Sequence, residues 1–243
     1  MNSRYTILTC CNRVPTEDYY CLKSYFTSLD GETPIVLTES FGGRWGGLGS
    51  KVRWVYKAIK EGLIQTEFII FTDCWDFVFA RPPRHLFQKY LDWFPDTPIV
   101  ISAEKNCFPD TLKAEYDALP KQSNYCYPNT GMIVGKTEEI LKALVFMDAP
   151  NVPDDYWDGE KMVHPNDQFE WMKIFLQQPA PMRLDQNQLL CNTLHSVSLD
   201  DLQFEQHGIF NKETGSVPCS FHANGGAKTS GVLPPILSHL NLI

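Results

Sequence analysis

The sequence predicts an α/β fold in which a mostly parallel central sheet is flanked by helices, in a single domain. Phe68-Ile69-Ile70-Phe71 is an unbroken apolar run of strand-forming residues, the pattern of a strand buried on both faces in the middle of a parallel sheet. Pro98-Ile99-Val100-Ile101-Ser102-Ala103-Glu104 repeats the theme, and both runs deliver an acid at their carboxyl ends, where α/β proteins place ligands. Segments of helical period separate such strands, and no internal repeat, low-complexity tract or linker divides the chain.

Tyr5 to Thr9 reads as the first strand, and Thr16 as the N-cap of a helix carrying Tyr20, Leu22, Tyr25 and Phe26 on one face. Pro34 to Thr38 is a second short strand. Phe41 to Lys51 is rich in glycine and opens a helix, an arrangement that can present backbone N–H groups to phosphate. It contains neither a P-loop nor a clean dinucleotide fingerprint, so a plain flexible loop explains it equally well. The helix runs from Ser50 to about Gly62 with Val52, Val55, Ala58 and Ile59 on one face. Lys51 and Arg53 sit in its first turn, where the macrodipole disfavours cations, which suits them to an anionic ligand or to a solvated basic face.

After the opening strand, Phe77 to Ala80 is apolar again, and Leu86 to Phe94 has helical spacing. Lys105 to Pro128 lacks a period and reads as a long irregular loop. Gly131 to Gly135 is a strand, and Thr137 to Phe146 a helix with Thr137 as its cap. Asp148 to Val163 reads as irregular and acidic, and a helix follows from Asn166 to about Leu176. Met182 to Asp185 and Gln188 to Cys191 are expected as short strands, and Ser220 to Lys228 as a strand entering a glycine turn.

With 43% hydrophobic and 13% aromatic residues among 243, the chain has ample core, which excludes a disordered protein. Its 21 basic residues against 29 acids, a net charge of −8, argue against a general nucleic-acid or anionic-membrane surface, though not against a local basic groove. No window of about 18 apolar residues exists to span a bilayer. The short apolar run after Met1-Asn2-Ser3-Arg4 is too brief for a secretory signal. The eight cysteines form no Cys-x-x-Cys pair, so they are expected as mostly reduced core thiols of a cytoplasmic protein.

The chemistry concentrates at Asp73 and Asp76. On a continuing strand these would point to opposite faces; if the chain turns after Asp73, the pair can share one cation. Hard oxygen ligands suit Mg²⁺ or Mn²⁺, and an imidazole such as His222 would favour Mn²⁺. Solvated turn acids and a structural histidine are the plain alternatives.

Several motifs occur in one order: Gly49-Ser50-Lys51-Val52-Arg53-Trp54, Thr72-Asp73-Cys74-Trp75-Asp76, Ser102-Ala103-Glu104 with Cys107-Phe108-Pro109, Asn129-Thr130-Gly131, Asp167-Gln168, Leu184-Asp185-Gln186 and His222-Ala223-Asn224-Gly225-Gly226-Ala227-Lys228. From about Tyr5 to Lys228 the chain resembles the glycosyltransferase domain of procollagen lysyl hydroxylases, relatives of the collagen and lipopolysaccharide glycosyltransferases. The resemblance implies a GT-A fold, a UDP-sugar donor and Mn²⁺. By matching position it implies metal ligation by Asp73, Asp76 and His222, uracil stacking on Trp75, and diphosphate binding by Lys51, Asn224, Gly225 and Lys228. Asn129 falls where the family faces the donor sugar, and Glu104 and Asp167 match acids near sugar and acceptor, either being the candidate base of an inverting transfer. Outside that resemblance, Asp167 reads equally as an N-terminal helix acid and Glu104 as a strand-end hydrogen-bond acceptor. Two positions depart from the pattern on the acceptor side: Phe108 stands where the family has a tryptophan, and Pro165-Asn166-Asp167 where it has a run of aspartates.

The expected activity is therefore metal-dependent transfer of glucose or galactose from a UDP-hexose to a hydroxyl acceptor. That acceptor is a hydroxylysine-type protein side chain, a glycan or a hydroxymethylated DNA base. No iron-binding hydroxylase portion is present in the sequence, so lysyl hydroxylation is not expected. A nucleotide-sugar hydrolase and a non-catalytic nucleotide-sugar-binding protein are the rival readings.

Overall fold

The computed structural model describes residues 3–13, 34–158, 161–164, 166–177, 181–228 and 231–243. The helix expected after Thr16 lies outside them. In chain order the strands are β1 (Tyr5–Cys10), β2 (Ile35–Leu37), β3 (Phe68–Asp73), β4 (Phe77–Phe79), β5 (Ile99–Glu104), β6 (Tyr127–Lys136), β7 (Tyr156–Asp158), β8 (Lys161–His164), β9 (Met182–Asp185), β10 (Cys191–Thr193), β11 (Leu202–Glu205), β12 (Gly208–Asn211) and β13 (Ser220–His222).

The central sheet has the order β2-β1-β3-β6-β5-β9. β1 pairs in parallel with β2 and β3, and β5 with β9, while β6 runs against both of its neighbours. The sheet is thus parallel except for β6. β3 is buried along its apolar length and sits between β1 and β6, as its continuous run requires. Its side chains alternate between two cores: Ile69 and Phe71 face one with Val52, Val55, Leu144 and Trp171, and Phe68 and Ile70 face the other with Leu86, Phe87 and Tyr90. Helices Gly49–Lys60, Thr137–Phe146 and Asp167–Gln177 therefore cover one face, and helix Pro83–Trp93 the other.

β4 leaves this sheet. It joins a second sheet of order β10-β13-β4, so the chain crosses from one sheet to the other within the turn Cys74-Trp75-Asp76. Antiparallel pairing sets His222 opposite Phe77, and the Ala223 N–H donates to the Asp76 carbonyl at 2.8 Å. That pairing carries a residue from the far end of the chain to the end of β3.

Four local expectations need correction. The stretch from Lys105 to Pro128 contains a 3-10 turn, Asp110–Leu112, and a short helix, Lys113–Asp117, whose Tyr116 is fully buried. The acidic stretch after Asp148 contains the β7–β8 hairpin. Thr137 does not cap its helix: its hydroxyl donates to the Thr66 carbonyl, tying the helix start to the segment ahead of β3. Gln188 has a positive φ of 51°, and Asp185 accepts the N–H groups of Leu189, Leu190 and Cys191, so a turn replaces the expected strand and β10 begins only at Cys191.

The cysteines need one correction too. Cys10, Cys107, Cys126, Cys191 and Cys219 are free thiols, but Cys11 and Cys74 form a disulfide. Parallel pairing of β1 and β3 brings their ends together, a juxtaposition that no spacing in the sequence reveals. The bond weakens the ground for expecting a reducing, cytoplasmic setting. Among the described residues no helix is long and apolar enough to cross a membrane.

Candidate active site

The inter-sheet turn, the end of β13 and the start of β6 meet at the floor of an open cleft of about 400 Å³. One potential ligand atom from each of Asp73, Asp76 and His222 lies within 4.8 Å of the others. The turn after Asp73 thus brings the two carboxylates together. His222 Nε2 lies 3.3 Å from Asp76 Oδ1 and 3.5 Å from Asp73 Oδ2, is buried, and makes no hydrogen bond.

The tautomer of His222 follows from its neighbour. Asn129 Oδ1 accepts the Gly131 backbone N–H at 3.0 Å, and its Nδ2 donates to Glu104 Oε1 at 3.0 Å, which fixes the amide orientation. His222 Nδ1, 2.8 Å from that same Oδ1, must therefore be the donor. Its Nε2 then faces the two aspartates, as in an imidazole ligand oriented by an outer hydrogen bond. Gly131 makes room for the ring: a Cβ there would sit 2.0 Å from His222 Cε1. The donor set of two carboxylates and one imidazole, with an orphaned nitrogen aimed between the acids, fits a divalent cation and favours Mn²⁺ over Mg²⁺. Without one, burial pulls the His222 pKa down, but Asp76 and Asp73 outweigh it and push it up to about 9.

Lys51 is turned inward from the first turn of its helix and buried. Its Nζ lies 2.9 Å from both Asp73 Oδ1 and Asp167 Oδ2. Burial lowers its pKa, yet the two carboxylates override this and hold the ammonium well above its usual range. Burial would raise Asp73, and Lys51 with His222 reverses that to hold it well below the carboxylate range. Asp167, pushed up by burial against the opposing pull of Lys51, also accepts the Thr130 hydroxyl at 2.9 Å. Lys51 thus neutralises the protein's own acids, so a solvated basic face does not describe it. Arg53 likewise turns to Asp154.

The glycine-rich segment is engaged in the same way. Asp155 accepts the Leu48 N–H at 2.6 Å and Asp154 the Ser50 N–H at 2.9 Å, so carboxylates of the segment before β7 occupy N–H groups at the helix start. Sequence reasoning missed this because the two partners lie more than 100 positions away.

Glu104, at the end of β5, accepts Asn129 Nδ2 and Gln168 Nε2 on Oε1 and Asn224 Nδ2 on Oε2. Burial raises its pKa against the pull of these donors, to about 7. Asn224 Oδ1 accepts the N–H groups of Leu194 and His195, so this side chain braces the loop after β10. Gly225, φ 53°, lines the cleft beside it. Trp75 donates from Nε1 to Asn12 Oδ1 at 3.0 Å, and the Arg13 guanidinium stands 4.7 Å from its ring centroid. The side chain of Lys228 lies outside the described residues. Gln168, Thr130 and His195 also line the cleft and received no separate role from the sequence, the first two because their work is to hold Glu104 and Asp167.

A family model described as the PLOD GT domain matches residues 38–233. The chain belongs to that family of glycosyltransferase domains. It is 29% identical over 183 residues to the uncharacterized protein R699 of Acanthamoeba polyphaga mimivirus, covering 75% of this chain and 36% of that one. It is 28% identical over 192 residues to procollagen-lysine,2-oxoglutarate 5-dioxygenase 1 of Rattus norvegicus, covering 75% of this chain and 24% of that one. The match thus spans about a quarter to a third of the length of these relatives. Apo mouse xyloside xylosyltransferase 1 shares the fold, with a TM-score of 0.53 at 12% identity over 92% of this chain and 98% of that one. The architecture is the mixed α/β GT-A fold of glycosyltransferases.

Proposed function

We propose that this chain transfers a hexose from a UDP-sugar to a hydroxyl acceptor, using a divalent cation held by Asp73, Asp76 and His222. The observation that carries the reading is the orphaned Nε2 of His222, its ring oriented by Asn129 and this nitrogen aimed between two carboxylates. When bound, the cation would stabilise negative charge developing on the leaving diphosphate. Lys51 keeps Asp73 ionised and in place for it. Asn129, accepting the Nδ1 proton of His222, orients the ring so that Nε2 is the nitrogen offered to it.

For an inverting transfer, Glu104 suits the role of base better than Asp167. Its pKa of about 7 matches neutral conditions, and Oε2 accepts only one of its three donors. Protonating Asp167 would break its pair with Lys51. The acceptor is a protein side chain, a glycan or a modified base, entering past the half-exposed Phe108 at the cleft.

Ligand-dependent melting tests the core of this reading. UDP should raise Tm only when Mn²⁺ or Mg²⁺ is present, and Asp76→Ala should abolish the shift. A shift without metal, or none with any nucleotide, would overturn it.

A further inference from the structure

The cleft is rich in acids, with Asp73, Asp76, Glu104 and Asp167 all lining it. A diphosphate entering it needs donors, and several of the described side chains that could serve are already engaged. Lys51 is paired with Asp73 and Asp167, His222 faces the cation position, and Asn129 and Asn224 both donate to Glu104. His195 is different. Its ring lines the cleft, is only partly buried, and makes no hydrogen bond or ion pair to another described residue, although its backbone is held by Asn224.

The ring also has a defined neighbour. It lies against the turn that begins at Gly225: a Cβ there would sit 2.6 Å from His195 Nδ1, and one on Gly226 would sit 3.8 Å from Nε2. Glycine at 225 lets the imidazole and the turn lie against each other in the cleft that the metal-ligand candidates also line. An imidazole N–H beside a glycine turn in a partly desolvated cleft is an apt donor to an anionic oxygen, and a hydrogen bond to a charged group is among the stronger ones.

We propose that His195 donates a hydrogen bond to the diphosphate of the nucleotide-sugar donor, as a binding residue additional to those matched by family resemblance. This rests on the UDP-sugar reading above. The site favours a diphosphate because a cation held by Asp73, Asp76 and His222 and the His195 N–H would both call for anionic oxygens, which a neutral nucleoside does not offer.

The test measures three affinities for wild type, His195→Ala and His195→Gln: Mn²⁺ alone by electron paramagnetic resonance, and UDP and uridine in saturating Mn²⁺ by calorimetry. The expected result for His195→Ala is unchanged Mn²⁺ and uridine binding with UDP weakened roughly tenfold or more. His195→Gln, which keeps a donor, should recover most of the loss. Unchanged UDP affinity in His195→Ala, an equal loss of Mn²⁺, or no recovery in His195→Gln would each overturn the assignment. If wild type itself fails to bind UDP with Mn²⁺, the UDP-sugar reading falls and this one with it.

Discussion

Replacing Lys51 by Met removes the one cation shared by two acids while keeping most of the side chain's volume. Lys51 is 7% exposed and Asp167 3%, so the variant leaves Asp167 without compensation at neutral pH and the half-buried Asp73 with His222 alone. Breaking a buried pair from one side costs about 3–5 kcal/mol, because the remaining charge stays desolvated. For a chain of this length that corresponds to a fall in Tm of roughly 10 °C. Urea unfolding in EDTA at pH 7 reads the deficit directly. The sign of its pH dependence follows from linkage. In wild type Lys51 helps hold Asp73 far below its unfolded pKa, which contributes stability above that pKa and loses it as pH falls through the folded value. Without Lys51 both carboxylates titrate upward, so lowering the pH to 5 protonates the uncompensated acid and narrows the gap between variant and wild type. A deficit below about 1 kcal/mol, or one unchanged between pH 7 and 5, would refute the shared-cation account.

Three further outcomes are expected. Glu104 binds its proton more tightly folded than unfolded, since its pKa rises from 4.5 to about 7, so its contribution favours the native state below pH 4.5 and is lost as pH climbs through 7. The stability of wild type relative to Glu104→Gln should therefore fall by about 3 kcal/mol between pH 4.5 and 8, and urea titrations showing a constant difference would contradict it. Gly131→Ala, whose new methyl would overlap the His222 ring, should weaken Mn²⁺ at least tenfold by electron paramagnetic resonance; native affinity would show that His222 is not needed there. The Cys11–Cys74 bond closes a separation of 63 residues, so Cys11→Ser should lower the unfolding free energy by about 4 kcal/mol, and a loss under 1 kcal/mol would count against the bond.

Much of the architecture was legible because it is written locally. The run from Phe68 to Phe71, buried along its length, needs sheet neighbours on both edges and cores on both faces, and β3 has them. The helix over 83–93 and that over 167–177 show their periods within a dozen residues, and Asn166 caps the latter by accepting the Phe169 N–H. What escaped was local only in three dimensions. Tyr116 looks like a loop residue until it packs beside Met172, to whose carbonyl its hydroxyl donates across 56 positions. The hydroxyl of Thr137 resembles a cap until strand pairing places it beside Thr66.

The candidate site divides along the same line. The sequence by itself determined that Asp73 and Asp76 stand three apart at the end of a buried strand, because an apolar run followed by acids is a one-dimensional pattern. His222 stood in the sequence only as one candidate imidazole, which resemblance matched to them. Only the tertiary structure decided that the turn between two sheets brings the acids together, and that β4–β13 pairing sets the imidazole against them. It also decided what occupies the donors: Lys51 on Asp73 and Asp167, and the glycine-rich helix start on Asp154 and Asp155. The physical reason is desolvation. A buried cation or N–H group must find a partner, and which one it finds depends on what the fold brings within 3 Å, a quantity no window of sequence contains.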